Sequence, residues 1–116
     1  MEPLSREAVD RLKKLGGPAF ACKMIDLFLE YGAAKTGEVV VAVQSGQTEA
    51  AGKAAHALKS SAANVGAVEV ERLAIEIESL AKSDSKADLA KLASELETAF
   101  ETVRPLLEAV RPLRDG

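Results

Sequence analysis

Apolar side chains recur every three or four positions at Leu89, Leu92, Leu96, Phe100, Val103, Leu107 and Val110. That is the period of one face of an α-helix, and it predicts a helix over about 87–110. Pro105 lies inside the stripe and should kink the helix or end its regular part. Upstream, Val70, Leu73, Ile77 and Leu80 repeat the spacing and predict a helix over 68–82. The Ser- and Asp-bearing stretch 83–86 reads as the turn between the two. A third helix is expected over 48–65, with Thr48 as N-cap and Gly66 as its stop.

The first half is more broken. A short helix is expected over 5–15, capped by Ser5 and ended by Gly16 and Gly17. Pro18 then opens a helix at a first-turn position. Phe20, Met24, Leu27, Phe28 and Tyr31 share helical spacing along it. Gly32 and Gly37 interrupt the pattern, so a separate helix is expected over 33–45. Its run Val39–Val43 would suit a strand on propensity alone. No second strand candidate exists to pair with it, so helix is preferred. Amphipathic helices joined by short turns make an antiparallel helical bundle.

The composition supports this and narrows the function. The 116 residues suit one domain, 1–116, with the short helix over 5–15 and the bundle over 18–112. Only 3% are aromatic, and Ala, Leu and Val carry a 47% apolar content, which favours packed helices over a β-sandwich. The net charge is −3 with both signs interspersed. Neither a basic field for nucleic acid nor a polybasic membrane patch is present. The single cysteine, Cys22, excludes an intramolecular disulfide, and with one histidine the chain has too few ligands for a typical transition-metal site. Cys22 sits among apolar residues and reads as a buried thiol. The acidic, Pro3-broken N-terminus is wrong for a signal peptide, and no apolar run approaches a membrane span. A soluble, cytoplasmic chain is expected, and the starting Met and short tails favour a free-standing one.

The informative segment is TEAAGKAAHALKSSAANVG, residues 48–66. With each residue turning about 100°, Ala51, Ala54, Leu58, Ser61/Ala62 and Val65 form the core stripe. His56 lies roughly 160° from Leu58 and should face water. Gly52, Lys53, Lys59, Ser60 and Ala63 share its side, so nothing bulky screens the ring. An imidazole is a good nucleophile that is partly unprotonated near neutral pH. The ammonium of Lys59, at i+3, can lie beside it and offset the charge of an incoming phosphoryl group.

The following helix runs back antiparallel from a turn near Gly66–Ala67. Positions equidistant from that turn face one another, which sets Glu78 opposite His56. A carboxylate there can accept the Nδ1–H and leave Nε2 free to attack. Lys82, one turn on, can add positive charge. Ile75, one turn before, is a candidate exposed contact for a partner. Each residue also has a plain alternative. A lone surface histidine usually has no role, Lys59 and Lys82 can be solvated charges, and Glu78–Lys82 can be an ordinary i,i+4 pair. Gly52 in mid-helix costs about 1 kcal/mol against Ala, which favours a steric reason for it.

The run AHALKSSAANVGA, residues 55–67, resembles the motif of histidine-containing phosphotransfer (HPt) domains, written HxLKGS with a Gly six to seven residues later. Phe20, Leu27, Phe28 and Leu29 match the helix that precedes the motif in that family. Leu73, Ile77–Glu78 and Lys82 match the helix after it. The resemblance implies an all-α, antiparallel up-down four-helix bundle with a short additional N-terminal helix or helices. It implies a phosphorelay carrier without ATP-dependent kinase activity. His56 would be the phosphoacceptor, Lys59 the lysine beside the phosphoryl group, Glu78 the partner that orients His56, and Lys82 an auxiliary cation. Ser60 stands where the family more often has Gly, and its small side chain should narrow access rather than block it.

The implied partners are response-regulator receiver domains and a hybrid sensor histidine kinase. The chain needs no cofactor of its own, because Mg²⁺ comes from the receiver's acidic site. Docking is expected through Gly52, Ser60, Ala63 and Ile75. Leu12 of the short helix is expected to join them, whereas Leu15 should rather cap the open end of the bundle. A monomer is expected. The alternative is a non-catalytic helical module that binds a signalling partner as an inhibitor or adaptor. A degenerate copy of that kind would be expected to lose the histidine or the lysine, and this chain keeps both.

Overall fold

A computed structural model of the chain describes residues 2–83 and 85–112. The expected turn over 83–86 therefore falls partly outside the described residues. Four helices succeed one another: α1 (Arg6–Gln44), α2 (Thr48–Val65), α3 (Val68–Ala81) and α4 (Lys86–Val110). Short connections force neighbours in sequence to run antiparallel. α1 packs on α2 and α4, and α3 packs on the same two, which is the arrangement of an up-down four-helix bundle.

α1 is two helical limbs joined at Gly17, whose φ of 86° and ψ of 177° are not helical. Only glycine adopts that conformation without a steric cost. Pro18 reinforces the break, because its ring disfavours a helical residue before it and suits the first turn after it. The short limb folds over the α2–α3 turn and buries Leu4, Ala8, Val9 and Leu12. Gly66 receives it. Its φ of 79° closes α2 in a left-handed C-cap, and its carbonyl accepts the Ser5 amide at 2.7 Å. A Cβ on Gly66 would lie 2.5 Å from the Ser5 carbonyl oxygen, so glycine is required there twice over.

The long limb differs from expectation at Gly32 and Gly37. Neither residue interrupts it, and the separate helix expected over 33–45 is its continuation. A glycine weakens a helix by only about 1 kcal/mol, and core packing outweighs that. Gly32 is buried against the rings of Phe28 and Phe100, whose centroids are 5.8 Å apart. The inward face of the limb also differs from the stripe of large residues. Ala21, Cys22, Ile25, Phe28, Thr36 and Val39 are buried, while Phe20, Leu27 and Tyr31 are exposed.

The other expectations need smaller changes. Gln47, one residue before Thr48, is the N-cap of α2. Pro105 sits within α4, which continues to Val110. Leu58, Ala62 and Val65 of α2 meet Leu73 and Ile77 of α3 and Leu96, Phe100 and Val103 of α4 in one shared core. Burying a side chain such as Leu58, fully enclosed here, is worth roughly 1.5–3 kcal/mol. The α2–α3 seam is thereby fixed, and the candidate site lies along it.

Candidate functional site

Leu58 and Ala54 anchor α2 inward, and His56 consequently points outward with 65% of its side chain exposed. Ile77 anchors α3 in the same way and brings Glu78 to the seam. His56 Nδ1 and Glu78 Oε2 are 2.6 Å apart. A carboxylate is an acceptor, so the ring proton belongs on Nδ1 and the Nε2 lone pair faces away from α3. The antiparallel register worked out from the turn thus pairs the two residues that the structure brings together.

Lys59 takes a position that sequence reasoning missed. Its Nζ donates to Glu78 Oε1 at 2.8 Å, so one carboxylate serves both residues through separate oxygens. The ammonium lies against Glu78 rather than simply alongside the ring. The two bonds, that from Lys59 foremost and that from His56 next, hold the Glu78 carboxyl below its ordinary value. Only the reach of a lysine across a helix seam could have hinted at this, since register alone places position 59 nearer Ile75.

Next to this triad lies an open cleft of about 470 Å³ lined by Thr48, Glu49, Gly52, Lys53, His56, Glu78, Ala81 and Lys82. Lys82 is exposed at the C-cap of α3, and Lys53 is paired with Glu49 at 3.6 Å. A Cβ on Gly52 would lie 3.0 Å from the Ala81 Cβ. Gly52 therefore lets α2 and α3 approach closely at the floor of the cleft, which supplies its steric reason. Ser60 is exposed, Ala63 is half-buried and Ile75 is 46% exposed.

Leu12 is a correction. It is only 6% exposed, whereas Leu15 is 72% exposed. The short limb turns Leu12 down onto the bundle, and Leu15 points out near the Gly17 break instead of capping the bundle's end. Leu12 cannot present a surface contact.

Among the described residues, no three His, Cys, Asp or Glu side chains gather as a metal site. No described helix is long and apolar enough to cross a membrane. What the arrangement can do is offer one oriented imidazole nitrogen on an open helical face, with a cation one turn away. That is the chemistry open to one class of protein, the helical carrier of a group on histidine.

Comparison with known proteins makes the class specific. The family model described as Hpt domain matches residues 23–108, and the chain belongs to that family. Among solved structures, it is similar to the crystal structure of histidine-containing phosphotransfer protein B (HptB) from Pseudomonas aeruginosa PAO1. The TM-score is 0.88, the identity is 23%, and the match covers 94% of each chain. At that identity the likeness speaks for the fold. No curated protein matches the sequence significantly. The chain is a phosphorelay phosphocarrier of the histidine phosphotransfer type. Such proteins are carriers rather than kinases, and they work with receiver domains and histidine kinases.

Proposed function

We propose that His56 is the phosphoacceptor, and that Nε2 attacks the phosphoaspartate of a receiver domain. The Nε2–P bond forms as the P–O bond to the aspartate breaks, and the electron pair leaves with the aspartate carboxylate. A second receiver's aspartate then reverses these events and takes the phosphoryl group onward. The observation that carries this reading is the 2.6 Å contact of His56 Nδ1 with Glu78, on an imidazole otherwise open to water. It fixes the tautomer with the attacking nitrogen exposed.

Lys59 offsets charge on the transferring oxygens, and Lys82, across the cleft, adds positive potential. Glu78 is a positioning residue. Mg²⁺ is supplied by the acidic site of the receiver, where such transfers need it. Gly52, Ser60, Ala63 and Ile75 form the docking surface around the ring. The chain acts as a monomer, since one face of the bundle must stay open. It does not autophosphorylate from ATP, having no Gly-rich phosphate loop in its sequence. Its place is the cytoplasm, with its receivers and a hybrid sensor kinase.

The test is incubation with receiver domains labelled on aspartate. The wild type should take up acid-labile label, and His56→Gln should take up none. Undiminished label on His56→Gln, or none on the wild type with any receiver of the source organism, refutes the role.

A further inference from the structure

In the resting structure the cation assigned to the phosphoryl group is already engaged. Lys59 Nζ is 2.8 Å from Glu78 Oε1, while Glu78 Oε2 is 2.6 Å from His56 Nδ1. Both oxygens of one carboxylate are thus committed, one to each partner. The Lys59 side chain is 31% exposed, so its amine is neither free in solvent nor locked in the core. For Lys59 to meet a phosphoryl group on Nε2, it has to leave Glu78.

We propose that phosphorylation of His56 itself hands Lys59 from Glu78 to the phosphoryl group. The proposal rests on His56 being the phosphoacceptor and concerns the response of its neighbours to the transfer. The form that attacks has its proton on Nδ1, against Glu78, and its lone pair on Nε2, because only a free lone pair can bond to phosphorus. When Nε2 bonds to phosphorus, the receiver's aspartate departs with the electron pair of the broken P–O bond. Both ring nitrogens are then substituted and the ring carries a positive charge. That charge stands against Glu78 at the distance of a strong ion pair.

The carboxylate, now matched by the cation it touches, holds Lys59 less strongly. At the same moment a group with net negative charge and several acceptor oxygens appears on the same helix face. Lys59 lies three residues further along that face, within the reach of its side chain. Two acceptors compete for one ammonium, and the transfer weakens the first while creating the second. The exchange needs no further reactant, and the Nδ1 proton stays in place throughout. It also works in reverse. Loss of the phosphoryl group to the next receiver discharges the ring and returns Lys59 to Glu78, so the cation does not linger on an empty site.

The test tracks the Lys59 amine by ¹H–¹⁵N NMR in wild type and Glu78→Gln, before and after phosphorylation by a labelled receiver. In the unphosphorylated state, Glu78→Gln should shift the Lys59 amine resonance toward that of a free lysine. In the phosphorylated state, the Lys59 resonances of the two proteins should coincide. The ³¹P resonance of the phosphohistidine should shift in Lys59→Met, which reads contact between the amine and the phosphoryl group. If the wild-type Lys59 resonance stays in place on phosphorylation, or if Lys59→Met leaves the ³¹P resonance unmoved, the exchange is overturned while label on His56 still supports the carrier role. A wild type that takes no label overturns the phosphoacceptor assignment and the exchange together.

Discussion

Glu78 Oε2 lies 2.6 Å from His56 Nδ1 across the α2–α3 seam, although 22 positions separate the two residues in the chain. The same carboxylate is held below the ordinary glutamate value of 4.5 by its bonds to Lys59 and then His56. A carboxyl whose folded value is depressed contributes stability that is present above its unfolded value. That contribution is lost as pH falls through the lower, folded value. Carboxyl ¹³C NMR should therefore place the Glu78 midpoint below 4.5. Lys59→Met should raise it more than His56→Ala does, because the lysine bond is the larger cause. Equal shifts from the two variants would assign the depression to something other than the shared carboxylate.

Gly32 and Gly37 lie in the same helix and should respond in opposite directions to alanine. A Cβ at Gly32 would sit 2.8 Å from Phe100 and 3.1 Å from Phe28, and rings inside a packed core have little room to move. Overpacking costs about 1–3 kcal/mol, against a helix-propensity gain of up to about 1 kcal/mol. Gly32→Ala should thus be destabilised by roughly 1–2 kcal/mol in urea denaturation. Gly37 is exposed, with nothing among the described residues within 4 Å of a Cβ there, so Gly37→Ala should gain about 0.5–1 kcal/mol. Stabilisation of both variants would show that the space around Gly32 is not the constraint.

The contrast also shows what the sequence discloses and what it hides. α2, α3 and α4 were legible almost to the residue, because their apolar stripes are regular and their ends carry glycines or polar turns. Within α1, Gly32 looks like Gly16 and Gly17 on local grounds. Only the Phe28 and Phe100 rings, one of them on a distant helix, tell a packing glycine from a breaking one. The inward face of α1 was hidden for a related reason. Alanine, cysteine and threonine share it with Ile25, Phe28 and Val39, while large residues such as Leu27 and Tyr31 lie outside, so side-chain size alone did not mark the face. At the site, the His56–Glu78 pairing was legible because antiparallel register is arithmetic. The Lys59–Glu78 bond was not, because it depends on where a long flexible side chain settles.

Thr36 offers a test of the core itself. It is 6% exposed, and its hydroxyl finds no hydrogen-bond partner among the described residues. A buried hydroxyl without a partner carries an uncompensated desolvation cost, and valine matches its shape without the polar atom. Thr36→Val should stabilise the fold by about 1 kcal/mol, raising the thermal midpoint by about 4 °C. A loss of stability in the variant would mean that the hydroxyl does find a partner in solution.

Leu12 and Ile75 separate folding from docking. Both were candidates for partner contact on sequence grounds, but the short limb of α1 buries Leu12 against the bundle, while Ile75 stands exposed on α3. Leu12→Ala removes packed methyl groups and should cost roughly 2–4 kcal/mol. At half-saturation, its transfer rate should fall only in proportion to the fraction unfolded. Ile75 lies outside the buried core, and Ile75→Glu should change stability by less than about 0.5 kcal/mol. It places a charge where an apolar contact with a receiver is proposed, and the receiver concentration giving half-maximal transfer should rise about tenfold. Thermal denaturation and transfer rates on the same two variants decide the matter. Normal transfer by Ile75→Glu removes that residue from the docking surface, and slow transfer by a fully folded Leu12→Ala would return Leu12 to it.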